Sequence, residues 1–215
     1  MNQHRHTQQP LPEPTLRRLP WYLAYIERIS AKGVKHVSTT TMSQALNVVP
    51  AQIAKDLSML NLRGRTRIGY SVEAIKHAMT DVLGFHRHHR ALIFGAGSLG
   101  KALMQDDGLE RYGLHIVAAF DSDKKLAGTS FAGTPIYHID QLPELQRELA
   151  AYIGILTVPV QYSNQTAELA ISHGIRAIWN FTPVKLKCPS HVVVADTSIY
   201  ADLALIYNGI TENAI

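Results

Sequence analysis

In the stretch "ALIFGAGSLGKALM", residues 91–104, an apolar run ends in Gly95-x-Gly97-x-x-Gly100 and passes into a helical pattern. The first glycine of such a turn permits a tight bend, the second lets a pyrophosphate reach the backbone, and the third allows close helix–strand packing. The phosphates of a dinucleotide are then expected against the backbone of Gly95, Ala96, Gly97, Ser98, Leu99 and Gly100. There the free N–H groups and dipole of a helix start favour negative charge. Downstream, "HIVAAFDSD" (115–123) reads as a second strand ending in Asp121. Asp121, with Ser122 beside it, is placed to accept hydrogen bonds from an adenine ribose, and its charge would repel a 2′-phosphate, favouring NAD over NADP. Lys124 and Lys125 nearby weigh against a strict exclusion.

Further strand-like runs follow at "PIYHI" (135–139), "YIGILTV" (152–158), "IRAIW" (175–179) and "HVVVA" (191–195), with helical patterns at 140–150 and 161–173. Strand–helix alternation of this kind predicts a doubly wound parallel sheet, here over residues 91–196, with helices on both faces. Ligands bind beyond the carboxyl ends of such strands. Thr157, Val158 and Pro159, and likewise Asn180 and Phe181 in "NFTP" (180–183), are therefore expected to border the nicotinamide side. Each proline also fits as simple punctuation of a strand end. A last amphipathic helix is expected from about residue 197, "TSIYADLALIYNGI", within a segment running to 215.

Ahead of this sheet the chain reads as helical. Leu16, Leu19, Leu23, Ile26 and Ile29 recur at three- and four-residue spacing, with Pro20 expected to mark the true first turn and Gly33 the end. "VSTTTMSQALNVV" gives a hydroxyl-rich cap, a short helix and a turn; Pro50 then opens "PAQIAKDLSML". Ile53, Leu57 and Leu60 face inward, leaving Gln52, Lys55 and Ser58 outward, in a helix-turn-helix arrangement. In "RGRTRIGY" (63–70), Arg63, Arg65 and Arg67 alternate, so an extended strand would point all three guanidiniums one way, as in a basic wing. Ser71 and Gly84 cap a fourth helix, "VEAIKHAMTDVL". Residues 15–85 thus form an expected winged helix-turn-helix domain.

Charge supports the division. Residues 1–85 hold 11 Lys and Arg against 5 Asp and Glu, and the remainder 10 against 12. A basic front half suits a polyanion such as DNA. With 46% apolar and 18% charged residues in 215, the composition is globular. No apolar run approaches the roughly 20 residues of a membrane span. "MNQHRHTQQPLPEP" (1–14) is polar and Pro-rich, without the apolar core of a signal peptide, and is expected to be a loose tail. The single cysteine, Cys188, excludes an internal disulfide, suits a reducing compartment and reads as a packed side chain; the cytoplasm is the expected location. "HRHHR" (86–90) lacks Cys or carboxylate neighbours at ligand spacing and reads as a basic linker, not a metal site.

Taken in order, "RLPWYL", "VVPAQIAKDLS", "IGYSVEAI", "IFGAGSLGKAL", "IVAAFDSD", "GTPIYHIDQLPEL", "ILTVP" and "GIRAIWNFTPVKLKCP" resemble motifs of the bacterial redox-sensing repressors of the Rex family, over about residues 15–208. The resemblance implies a homodimer whose winged-helix domains bind a palindromic operator while its Rossmann-like domains sense NADH relative to NAD+. The last helix would be exchanged between subunits. Lys55, Ser58, Arg63, Arg65 and Arg67 would then contact phosphates or bases, and Gln52 an adenine edge. Catalytic and metal-binding residues are not implied.

The chain departs from the family pattern at identifiable positions. Ala54 stands where members carry Arg before Lys-Asp, and Arg65-Thr66-Arg67-Ile68-Gly69-Tyr70 replaces Arg-Arg-Gly-Val-Gly-Tyr. In parts the family uses for switching, Ala24 replaces an arginine, Ser198 an aspartate and Asp106 a tyrosine. Losing both members of an ion pair strands neither charge. A divergent member is therefore expected, with a redox response that is weaker, inverted or absent. Two other readings remain open here: a regulator answering another ligand or partner, and an NAD-dependent dehydrogenase using His138, His173 or Asp106.

Overall fold

The computed structural model describes residues 11–212, and the chain forms two compact units, residues 1–86 and 87–215.

The first unit is α1 (Glu13–Ser30), β1 (His36–Val37), α2 (Thr39–Leu46), α3 (Pro50–Met59), β2 (Tyr70–Ser71) and α4 (Val72–Leu83). Leu19, Tyr22, Ile26, Met42, Ile53, Leu57, Ile75 and Met79 bury completely and form its core. Helix α1 starts at Glu13, two residues inside the expected tail; residues 1–10 of that tail lie outside the described residues. Pro20 sits inside α1 and does not begin it. An interior proline costs about 3 kcal/mol. Complete burial of Leu19, Tyr22 and Ile26 on the same helix offsets that cost. The buried stripe is centred on Tyr22, and Leu16 is left outside it, 38% exposed. Ser38 and Ser71 cap α2 and α4 through their hydroxyls, and Gly84 ends α4 in the left-handed region.

Strands β1 and β2 pair antiparallel, His36 with Ser71 and Val37 with Tyr70. The arginine segment before β2 is not the extended strand that alternation suggests. Arg65 and Gly69 bridge, and between them the chain turns, with Arg67 at φ 66°. Arg63, Arg65 and Arg67 are all exposed, but strand geometry does not align them. At the end of the turn the chain runs close to β1, where only glycine fits: a Cβ on Gly69 (φ +91°) would lie 2.5 Å from the Val37 carbonyl oxygen.

The second unit is β3 (His89–Phe94), α5 (Ser98–Met104), α6 (Asp107–Arg111), β4 (Leu114–Asp121), β5 (Ser130–Phe131), β6 (Thr134–His138), α7 (Leu142–Leu149), β7 (Ile153–Leu156), α8 (Ser163–Ser172), β8 (Ala177–Asn180), β9 (Val193–Asp196) and α9 (Ile199–Glu212). The sheet order is β5-β6-β4-β3-β7-β8-β9, with every pair parallel except β5–β6. Without the β5 edge, the order is that of a doubly wound dinucleotide-binding sheet, and the winding reverses between β3 and β7. Along β3, alternate residues feed two core layers: Ala91 and Ile93 on one face, Leu92 and Phe94 on the other. Two local expectations change. His89 and Arg90 belong to β3, not to a linker. The β5–β6 hairpin, turning through Ala132 and Gly133 at positive φ, is additional. Residues 181–192 join β8 to β9 without a helix.

Candidate functional site

A cleft of about 820 Å³ opens at the carboxyl ends of β3, β4 and β7, where the winding reverses. That volume lies within the range of small-molecule and cofactor sites. Its floor is the glycine turn. Gly95 has φ +103°, and a Cβ there would lie 2.9 Å from the Thr157 backbone. A Cβ on Gly97 would meet nothing within 4 Å and would project into open space at the cleft. A Cβ on Gly100 would overlap the Gly95 carbonyl oxygen. Helix α5 has no side-chain cap, so its first N–H groups remain available to a ligand anion.

Thr157 holds the opposite wall, donating its hydroxyl to the carbonyls of Phe94 (3.1 Å) and Gly95 (2.7 Å). Asp121, at the tip of β4, accepts the Ala96 N–H at 2.7 Å on one oxygen and the Asp123 N–H at 2.9 Å on the other. Its carboxylate thereby braces the glycine turn. A carboxylate has about four acceptor sites, so capacity for a ribose hydroxyl remains.

Of the residues expected to hold the nucleotide, Gly95, Gly97, Asp121, Ser122, Thr157, Val158 and Pro159 line the cleft. Ala96 is buried beneath it, Gly100 packs, and Ser98 and Leu99 occupy the first turn of α5. Asn180 and Phe181 are not among the residues that line the cleft. The Asn180 side chain is fully buried; its amide donates to Val184 O (2.9 Å) and Asp196 Oδ1 (2.8 Å), and its oxygen accepts from Thr182. It ties the end of β8 to β9 and has no amide group left for a ligand. Phe181 packs its ring 4.7 Å from that of Trp179. The sequence reading missed a wall made of Ile139, Asp140, Tyr162, Gln165, Thr166 and Leu169. The last four follow helical spacing just after β7, a signal available in the sequence.

In the first unit, Lys55 and Ser58 are exposed on α3, as is Val49 just ahead of it at 68%. Gln52, half-buried, is drawn into a network centred on Asp56, a completely buried carboxylate. Arg18 grips Asp56 with two bonds, Nε to Oδ2 at 2.7 Å and a terminal nitrogen to Oδ1 at 2.8 Å. Tyr22 donates to Oδ2 (3.0 Å), and Thr15 (3.1 Å) and Gln52 (3.0 Å) donate to Oδ1. Burial pushes the Asp56 pKa up, but the bonds from Arg18, Tyr22, Gln52 and Thr15 outweigh it and hold the group below its ordinary value. Burial, and then the adjoining Asp56, push the Tyr22 phenol up to about 12. The hydrogen bond to Asp56 raises the Arg18 pKa, against opposing desolvation.

Residues 86–184 match a family model described as CoA binding domain, and residues 10–58 one described as Putative DNA-binding protein N-terminus. A redox-sensing transcriptional repressor Rex from Bacteroides fragilis is 46% identical over 99% of this chain and 96% of its own length. One from Porphyromonas gingivalis is 48% identical over 92% and 91%. The chain belongs to the Rex family. Two solved structures of RSP, a Rex-family repressor, also resemble it. RSP in complex with β-NAD+ and operator DNA has a TM-score of 0.89 at 28% identity, covering 96% of this chain and 95% of RSP; RSP in complex with β-NADH has 0.85 at 29%, covering 96% and 97%.

Identities of this size over nearly the full length do not set the chain apart as a divergent Rex protein, which corrects that expectation. Two of the three positions that depart from the expected pattern have local roles. Asp106 caps α6, accepting the N–H groups of Gly108 (2.7 Å) and Leu109 (3.1 Å). The Ser198 hydroxyl accepts the Ala201 N–H in the first turn of α9 at 3.2 Å. Ala24 lies exposed on α1. The side chains proposed for a dehydrogenase do not meet in the cleft: His138 lies 3.2 Å from the Ser122 carbonyl, His173 bonds the Leu169 carbonyl, and Asp106 is the α6 cap. Rex proteins are transcriptional repressors, and the relatives carry that name. Among the described residues no cluster of His, Cys, Asp and Glu fits a metal ion, and no helix is long and apolar enough to cross a membrane. Cys188 is half-buried, and burial pushes its thiol pKa up, as for a packed side chain.

Proposed function

We propose that this protein is a cytoplasmic transcriptional repressor that binds palindromic operator DNA as a homodimer and releases or tightens its grip according to whether its cleft holds NADH or NAD+. The observation that carries this reading is the glycine turn braced by Asp121 at the reversal point of the sheet, in a chain whose Rex relatives span almost all of its length.

The cleft residues fit a dinucleotide. The space beyond Gly97 and the uncapped start of α5 suit a pyrophosphate, and Asp121 and Ser122 suit the adenine ribose. Thr157, Val158 and Pro159 border the nicotinamide side. The bound group supplies a ring that is cationic when oxidised and neutral when reduced. The protein contributes a cleft that binds, orients and shields that ring.

On DNA, α3 supplies Gln52, Lys55 and Ser58, and residues 63–69, which end in the Arg65–Gly69 turn and act as a wing, supply Arg63, Arg65 and Arg67. The dimer forms through α9, where Ile199, Leu205, Ile206 and Ile210 are all exposed and are covered by exchange with a second copy. Matched half-sites lie about 34 Å apart, or at multiples, so a modest rotation of one subunit spoils the fit. Coupling between ligand and DNA sites is typically about 1–3 kcal/mol, or 5- to 150-fold in affinity.

Ala24, Asp106 and Ser198 favour a second reading, in which the same fold has lost nucleotide sensing and answers a different ligand or partner. One titration separates them. Calorimetry with NADH and with NAD+ gives heat under the first reading; under the second neither dinucleotide binds, while a palindromic duplex still shifts in a salt-sensitive way.

A further inference from the structure

We propose that Asp56 is a positioning residue for base recognition. By accepting the Gln52 Nε2 hydrogen it fixes the sense of that amide, so that Gln52 presents its Oε1 to the DNA and selects adenine against guanine and thymine. This rests on reading α3 as the recognition helix.

Gln52 and Asp56 are four residues apart on α3 and share one helix face. Asp56 is completely buried and cannot turn outward, because Arg18 holds both of its oxygens and Tyr22 and Thr15 add a bond to each. An ionised carboxylate only accepts hydrogen bonds. Any amide that meets Oδ1 must therefore offer N–H, and Gln52 does so at 3.0 Å. The reverse orientation would set Gln52 Oε1 against an anionic oxygen. Glutamine ordinarily offers either end to a base edge; here the choice is made before DNA arrives.

What remains outward is the carbonyl oxygen with the second N–H beside it. Adenine presents an amino donor and a ring-nitrogen acceptor in the major groove, which this pair matches. Cytosine presents the donor alone. Guanine and thymine place a carbonyl oxygen where Gln52 already presents one. Gln52 is the third residue of α3, and the N-terminal residues of a recognition helix are those that reach base edges.

The test is a set of operator duplexes carrying each of the four base pairs at every half-site position, bound to the full-length protein at fixed salt. One position per half-site is expected to prefer adenine over guanine by roughly 5- to 100-fold. Q52M should level that position alone, leaving the others in place. In D56N the new amide can meet Gln52 in either sense, so the guanine penalty should shrink at the same position, an outcome that general loss of packing does not produce. Should D56N fail to fold, the free wild-type protein decides by NMR. One Gln52 side-chain amide proton should be shifted by a hydrogen bond and protected from exchange, and an ordinary exposed amide pair would overturn the proposal. Binding with no position sensitive to Q52M would overturn it as well, while leaving the repressor reading intact. Failure of wild type to bind any duplex at low salt contradicts that broader reading instead.

Discussion

The α-carbon of Gly100 faces the carbonyl oxygen of Gly95 so closely that no side chain fits between them, whereas Gly97, three residues earlier, faces open space. Two glycines of one motif are thus required for opposite reasons. G100A should destabilise the second unit by about 1–3 kcal/mol, since the backbone must shift to relieve the overlap. G97A should leave the melting temperature within a degree or two yet weaken NADH binding tenfold or more, because its methyl group occupies ligand space. Paired melting and NADH titrations of the two variants check this.

Asp121 combines bracing of the turn with repulsion of a 2′-phosphate. D121N keeps an oxygen for the Ala96 N–H while removing the charge and the acceptor for the Asp123 N–H. It should relax the preference for NADH over NADPH by about tenfold, a change on the scale of one charge interaction near a protein surface. Competitive calorimetry with the two dinucleotides measures it.

The buried pair of Arg18 and Asp56 makes the first unit sensitive to substitution and to pH. R18M strands the carboxylate and should cost about 3–5 kcal/mol. NADH binding by the second unit should survive. The folded Asp56 pKa is depressed, so its contribution is present above the unfolded value of about 3.9 and is lost as pH falls through the folded one. Tyr22 acts at the other extreme. Its pKa is raised to about 12, so its contribution is full below the unfolded value of about 10 and lost as pH rises from there through 12. Denaturant midpoints across pH should fall at both ends, and Y22F should remove the alkaline part.

Helix α9 carries the dimer in this account. L205E/I206E replaces two side chains that are 72% and 56% exposed in one chain, so a lone subunit should fold as before. If a second copy covers them, the variant becomes monomeric by light scattering and its operator affinity falls at least tenfold, since two linked reading heads bind far better than one.

Much of this was legible in the sequence because it is local. Gly95, Gly97 and Gly100 announce a turn, Asp121 ends a strand, and Ser71 and Gly84 bracket a helix; each follows from residues a few positions apart. Misreadings came where distant parts decide. Alternation in Arg63–Arg67 suggests a strand, but Arg65 and Gly69 bridge across a turn, and Gly69 packs against the Val37 carbonyl from a distant strand. Asn180 follows a strand like a ligand residue, yet Asp196 and Val184, from later in the chain, take up its amide. Pro20 looks like a helix start until the buried stripe around Tyr22 carries the helix through it.

The most direct measurement is the dissociation constant of the full-length protein for a palindromic operator duplex, at one salt concentration, without dinucleotide and with saturating NADH or NAD+. The NADH and NAD+ values are expected to differ by about 5- to 150-fold, the usual span of coupling between two sites. Identical values, with calorimetry showing the cleft filled in both cases, would contradict this coupling.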